Sequence, residues 1–196
     1  MSRIDTAVDK LLDEKIAASA SDDEKARLGD LKGRVAIANA KLAAQRYKRL
    51  FAGARWKKLE KRGARTQRLL WASTGTKNKA YSDVLYVEEL IGPETVNTMP
   101  PATLDAFRDH GRIRGDTLAE DLDEAGRILD DLTRAGISLD AVTDGLTEEG
   151  VRLFAESTDK ALAALRAKRG SLGKGGPIAK QPATPVARSR HPPRSP

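Results

Sequence analysis

Only two short stretches of this chain read as strands, residues 67–73 (QRLLWAS) and 94–100 (ETVNTMP). Between them lies a helix-like segment, residues 82–92 (SDVLYVEELIG), with Ser82 placed to cap it and Gly92 to close it. Strand, helix and strand in that order imply parallel pairing, because parallel strands need a crossover connection. Two strands, however, cannot close a barrel or make a sheet that stands alone. This shortage of strands constrains the fold more than any other feature.

The remainder has helical periodicity. Residues 6–16 (TAVDKLLDEKI) set Ala7, Val8, Leu11, Leu12 and Ile16 on one face, with acids and lysines on the other. Ser21 stands three residues before Glu24, the spacing of a capping box. A long alanine-rich helix is expected from about Lys25 to Phe51, packed closely or kinked at Gly29 and Gly33, since each glycine costs roughly 1 kcal/mol in a helix interior. A further basic helix should reach Gly63. Residues 101–111 start on Pro101, which suits a first helical turn. Residues 117–136 form one amphipathic helix with Leu118, Leu122, Ala125, Leu129 and Leu132 on its apolar face. A last helix is expected over about residues 147–168.

Composition narrows the class. Of 196 residues, 39% are hydrophobic and 32% charged, and no apolar run approaches the roughly 20 residues of a membrane span. There is no cysteine, which excludes disulfides and thiolate metal sites and suits a reducing cytoplasm. His110 and His191 stand far apart with no carboxylates at ligand spacing, so no metal site is expected. The net charge of +7 belongs to the C-terminus: seven bases and no acid follow from Lys168 onward, and removing them from the 35 bases leaves 28 against 28 acids. From Gly170 the chain holds six of its nine prolines without periodicity, and residues 169–196 are expected to be a disordered basic tail.

The first strand runs into Ser73, Thr74, Gly75, Thr76, Lys77 and Asn78. Taken with its surroundings, this stretch carries a resemblance. Residues 69–111, LLWASTGTKNKAYSDVLYVEELIGPETVNTMPPATLDAFRDHG, resemble the C-terminal half of transaldolase. Residues 2–13 (SRIDTAVDKLLD) look like a family segment that follows a barrel strand, and residues 136–165 look like its closing segment. The resemblance implies an (α/β)8 barrel, with the site at the C-terminal ends of the strands. Residues 1–168 would then be the C-terminal part of such a barrel, incomplete and helix-rich. The implied reaction belongs to the pentose phosphate pathway. It transfers a dihydroxyacetone unit from sedoheptulose 7-phosphate to glyceraldehyde 3-phosphate through a lysine Schiff base, with no cofactor.

By the same resemblance, Arg3 matches an arginine that holds the substrate phosphate, Lys77 falls where a second phosphate-binding cation is expected, and Ser73 matches a serine close to the site. The residue types suit that work: a guanidinium chelates two phosphate oxygens, and lysine acts as a point charge. Gly75 would let the backbone approach a ligand. The family's Schiff-base lysine sits in a strand reading like Ile-Lys-Ile-Pro-Ala-Thr, and these 196 residues contain no such stretch. No catalytic residue is therefore assigned, and the expectation is that the earlier strands are absent and the chain alone is inactive. Lys77 is the one lysine at a strand end, but a polar loop beside a phosphate favours its charged, non-nucleophilic form.

Two readings stay open, a transaldolase by family and a non-catalytic remnant or assembly partner of a missing half. Sugar phosphates are the expected partners, with self-association through exposed sheet edges. Neither specific nucleic-acid binding nor membrane binding is expected. The basic run over residues 48–68 reads as an exterior helix, and the tail as a weak polyanion binder. Trp56 and Trp71 are expected to pack, and Tyr47, Tyr81 and Tyr86 to be core or interface groups.

Overall fold

The computed structural model describes residues 1–172, which divide after Gly150 into two compact units, Met1–Gly150 and a second that begins at Val151. The tail expected to be disordered lies almost wholly outside the described residues.

The first unit opens with α1 (Ser2–Ala18), α2 (Asp22–Asp30), α3 (Val35–Ala52) and α4 (Ala54–Glu60). Ser21 does cap α2, its hydroxyl accepting the Glu24 N–H at 3.3 Å, but the Glu24 carboxylate takes the Ser19 hydroxyl instead of closing the box. The single helix expected from Lys25 to Phe51 is broken. Gly33 adopts a left-handed φ of 71°, and a Cβ there would stand 2.8 Å from Cζ of Tyr81. Gly29, by contrast, stands in open space. The break at Gly33 separates α2 from α3, and α3 packs Val35 and Ala38 with Val8 and Leu12 of α1.

Strand β1 (Leu69–Ala72) and strand β2 (Thr95–Thr98) pair in parallel, with Leu69 opposite Thr95 and Ala72 opposite Thr98. Among the described residues they are the whole sheet. The helix α5 (Leu85–Glu89) crosses between them and is shorter than the sequence suggests. Ser82 makes only a turn, its hydroxyl accepting the Val84 N–H at 3.4 Å. Alternation along β1 buries Trp71 and leaves Leu70 and Ala72 exposed.

Helix α6 (Pro101–His110) begins on its proline as expected. The segment expected to form one helix from Thr117 divides into a 3-10 turn (Thr117–Ala119) and α7 (Leu122–Arg134). Asp121, with a left-handed φ of 53°, makes that break. Leu118 therefore leaves the α7 face and packs with Trp71, Tyr86 and Leu90, while Ala125, Ile128 and Leu132 face the core from α7. The last helix, α8 (Leu139–Leu172), is longer than expected, and it buries no residue.

Two apolar clusters hold the first unit. Val8, Leu12, Leu28, Leu31, Val35, Ala38, Ile128 and Leu132 join α1, α2, α3 and α7. Ala36, Ile37, Ala40 and Ala44 join α3 to Trp71, Tyr86 and Leu90. The alanines of α3 let neighbours approach on both sides, and each fully buried Leu or Val is worth roughly 1.5–3 kcal/mol. Among the described residues no helix is long and apolar enough to cross a membrane.

Candidate functional site

The strand end spends much of its polarity on itself. Thr74 is fully buried, and its hydroxyl donates to Asn97 Oδ1 across the sheet at 2.7 Å. Ser73 turns the chain with a left-handed φ of 56° and donates its N–H to Thr98 Oγ1 at 3.4 Å. Gly75 is needed for packing: a Cβ there would lie 3.0 Å from Pro100 Cγ and 3.1 Å from Thr103 Oγ1. The close approach expected for a ligand is thus made to the start of α6.

Helix α1 begins at this same end of the sheet, where the Met1 amine donates to the Ala72 carbonyl at 3.4 Å. Between α1 and the loop after β1 opens a groove of about 660 Å³. That volume lies within the usual range for small-molecule sites. Lys77, Asn78, Ser2 and Thr6 line it, together with Asp5, Asp9, Tyr81 and Tyr86. Of the three residues expected to hold phosphate, Lys77 lines the groove. Arg3 and Ser73 stand outside its walls, and Arg3 Nη2 lies 3.9 Å from Glu149. Burial lowers the pKa of the Met1 amine, and the charge of nearby Lys77 lowers it further.

The back wall was not foreseen. Asp5 and Asp9 fall one turn apart on α1, beside the apolar face and not on it, yet both are buried. Asp5 Oδ1 accepts the Ala36 N–H at 2.8 Å and its Oδ2 accepts the Tyr86 hydroxyl at 2.7 Å. Asp9 repeats the arrangement, accepting the Gly33 N–H at 3.1 Å and the Tyr81 hydroxyl at 2.7 Å. Asp5 thereby caps α3, which has no side-chain cap of its own. Each carboxylate clamps three segments: α1, the start of α3 and the stretch before or within α5. The i, i+4 pair of acids beside apolar neighbours was the available signal, and periodicity alone assigned it to solvent.

Electrostatics follow from that burial. Desolvation raises the Asp5 pKa, with the Tyr86 and Ala36 donors opposing it. Both tyrosines are pushed well above the ordinary phenol range, by burial first and then by the aspartate each one meets. They therefore act as neutral donors. The groove presents fixed hydroxyls and two exposed lysines, Lys77 and Lys10, over a wall in which Asp5 and Asp9 are already engaged and which Asp13 and Glu14 extend.

His110 meets carboxylates through the fold, at no spacing that ligates a metal. Its Nε2 lies 2.8 Å from Asp83 Oδ1 and its Nδ1 3.1 Å from Asp109 Oδ2, so it does have carboxylate neighbours, and they raise its pKa. Among the described residues no group of His, Asp or Glu side chains could hold a metal ion. Trp71 packs as expected, although its Nε1 finds no partner.

Comparison with known proteins bears on the same segments. The family model described as Transaldolase/Fructose-6-phosphate aldolase matches residues 1–165. A protein named Transaldolase from Trichodesmium erythraeum is 50% identical over 156 residues, which cover 79% of this chain and 41% of that protein. One named Transaldolase 2 from Streptomyces coelicolor is 46% identical over 168 residues, covering 86% of this chain and 43% of that protein. One named Transaldolase from Thermobifida fusca is 46% identical over 162 residues, 83% of this chain and 42% of its own length. The chain spans about two fifths of the length of these relatives.

Proposed function

Because the chain belongs to the transaldolase/fructose-6-phosphate aldolase family, we propose that it forms the phosphate-side part of a transaldolase site. The reaction is the transfer of a dihydroxyacetone unit from a ketose phosphate to an aldose phosphate. An amine adds to the ketose carbonyl and loses water, and the resulting iminium accepts the electrons of the carbon–carbon bond that breaks. Nothing in these residues is assigned as that amine. The part of this chain is to hold phosphate at the strand ends, with Lys77 as the groove-lining cation at the end of β1 and with Arg3 and Ser73 joining it once the site is complete.

The observation that carries this reading is the position of Lys77. It lines the groove at the C-terminal end of a parallel strand, within the segment that matches the family. A charge-assisted hydrogen bond to phosphate is worth about 1.5–3 kcal/mol, and in a half-open groove one such contact supports millimolar affinity at best. The two uncovered edges of the β1–β2 sheet favour a chain completed by further β-structure, and by themselves the residues 1–172 would be a non-catalytic partner.

Borohydride trapping with fructose 6-phosphate tests the assignment. The mass of the chain should stay unchanged. A three-carbon adduct abolished by Lys77→Ala would overturn the reading and make Lys77 a nucleophile.

A further inference from the structure

Positive charge is segregated on this molecule. Residues 46–68 contain ten bases and one acid, Glu60. Since residues 1–167 hold 28 bases and 28 acids, the rest of that span is left with 18 bases and 27 acids. All ten bases are exposed. Elsewhere in the first unit several basic side chains meet carboxylates, among them Arg34 with Glu124, Lys41 and Arg114 with Glu89, and Lys32 with Asp13. None of the ten takes part in an ion pair among the described residues.

The scaffold beneath them is built. The patch covers the end of α3, the Gly53 corner, α4 and the turn that follows. Tyr47 packs on Phe51 at a 52° tilt with ring centres 4.6 Å apart, and Phe51 meets Trp56 edge-on at 4.5 Å. This aromatic chain ties α4 to α3, so cations such as Arg46, Arg49, Arg55, Lys58 and Arg62 ride on one packed corner. The aromatics are engaged with one another, which leaves no free platform for stacking bases.

We propose that this corner binds the phosphodiester backbone of duplex nucleic acid without reading its sequence. Six of the ten bases are arginine, whose planar fork suits phosphate oxygens. Binding then depends on released counterions, not on base edges. An anionic bilayer fits less well. The cations spread over a helix end, a corner and a turn, and α4, with seven residues, offers no extended amphipathic face to lie in an interface.

The test is anisotropy of the full chain with a labelled random-sequence duplex across a salt series. Binding should weaken steeply with salt, and Arg49→Glu, Arg55→Glu and Lys58→Glu together should reduce the logarithmic salt slope by about 3. Neutralising the five bases from Lys174 onward controls for the C-terminal segment. Circular dichroism establishes that each variant is folded, and Lys→Gln and Arg→Gln versions at the same positions should show the same trend. Three results would overturn the proposal: no duplex binding at low salt, a slope that only the C-terminal changes reduce, or patch-dependent binding to phosphatidylserine vesicles that exceeds binding to duplex.

Discussion

Asp5 and Tyr86 show how a single pair organises its surroundings. The carboxylate is buried, yet each oxygen has a donor, and among the described residues the buried tyrosine hydroxyl has no other partner. Tyr86→Phe keeps the ring in its cluster and removes one donor from a buried acid, so it should lower stability by about 1.5–3 kcal/mol at neutral pH. The pH dependence has a definite sign. A tyrosine whose folded pKa is raised stabilises the fold fully below its unfolded value, near 10, and that stability is lost as pH rises toward the folded value. Chemical denaturation of the parent chain should therefore show stability falling above pH ~10. The Phe variant should fall less steeply, by one proton. An unchanged slope would mean that Tyr86 ionises freely in the folded chain. Asp5, also raised, favours its neutral form, so its own contribution is lost as pH climbs through its folded value.

Among the elements, two glycines in helical sequence have opposite roles. Gly33 stands in the turn between α2 and α3 with φ 71° and lies against the Tyr81 ring, so Gly33→Ala adds both a left-handed strain of roughly 1–2 kcal/mol and a clash. Its thermal midpoint should drop accordingly. Gly150 lies within α8 with nothing within 4 Å of a Cβ, and Gly150→Ala should raise helicity and gain up to about 1 kcal/mol of local helix stability. Thermal melts followed by circular dichroism separate these outcomes. Equal effects at the two positions would show that Gly33 does no more than lower helix propensity. The same contrast explains why one long helix was expected: glycine reads alike in a sequence whether it stands in a helix or ends one.

On the scale of the molecule, the sheet is too small for its class. Two parallel strands leave both outer edges unpaired among the described residues, and Leu70 is 53% exposed on the face opposite Trp71. The purified chain should bind a hydrophobic dye or self-associate in a concentration-dependent way. A monomer with a sharp cooperative melt and no dye binding would count against an uncovered sheet. The strand positions, their parallel pairing, the proline start of α6 and the family itself were determined by the sequence alone. Those features rest on local chemistry: short apolar runs, a crossover of helical length, fixed proline geometry and a long run of matching residues. Tertiary structure decided the rest. Whether Asp5 and Asp9 face solvent or core depended on donors brought from 31 and 24 residues away. Whether Gly75 faces a ligand or packs depended on Pro100 and Thr103. Lys77 and Arg3 start from the same end of the sheet, but only one of them lines the groove, because side-chain direction is settled by the neighbours that fold against it and not by spacing along the chain.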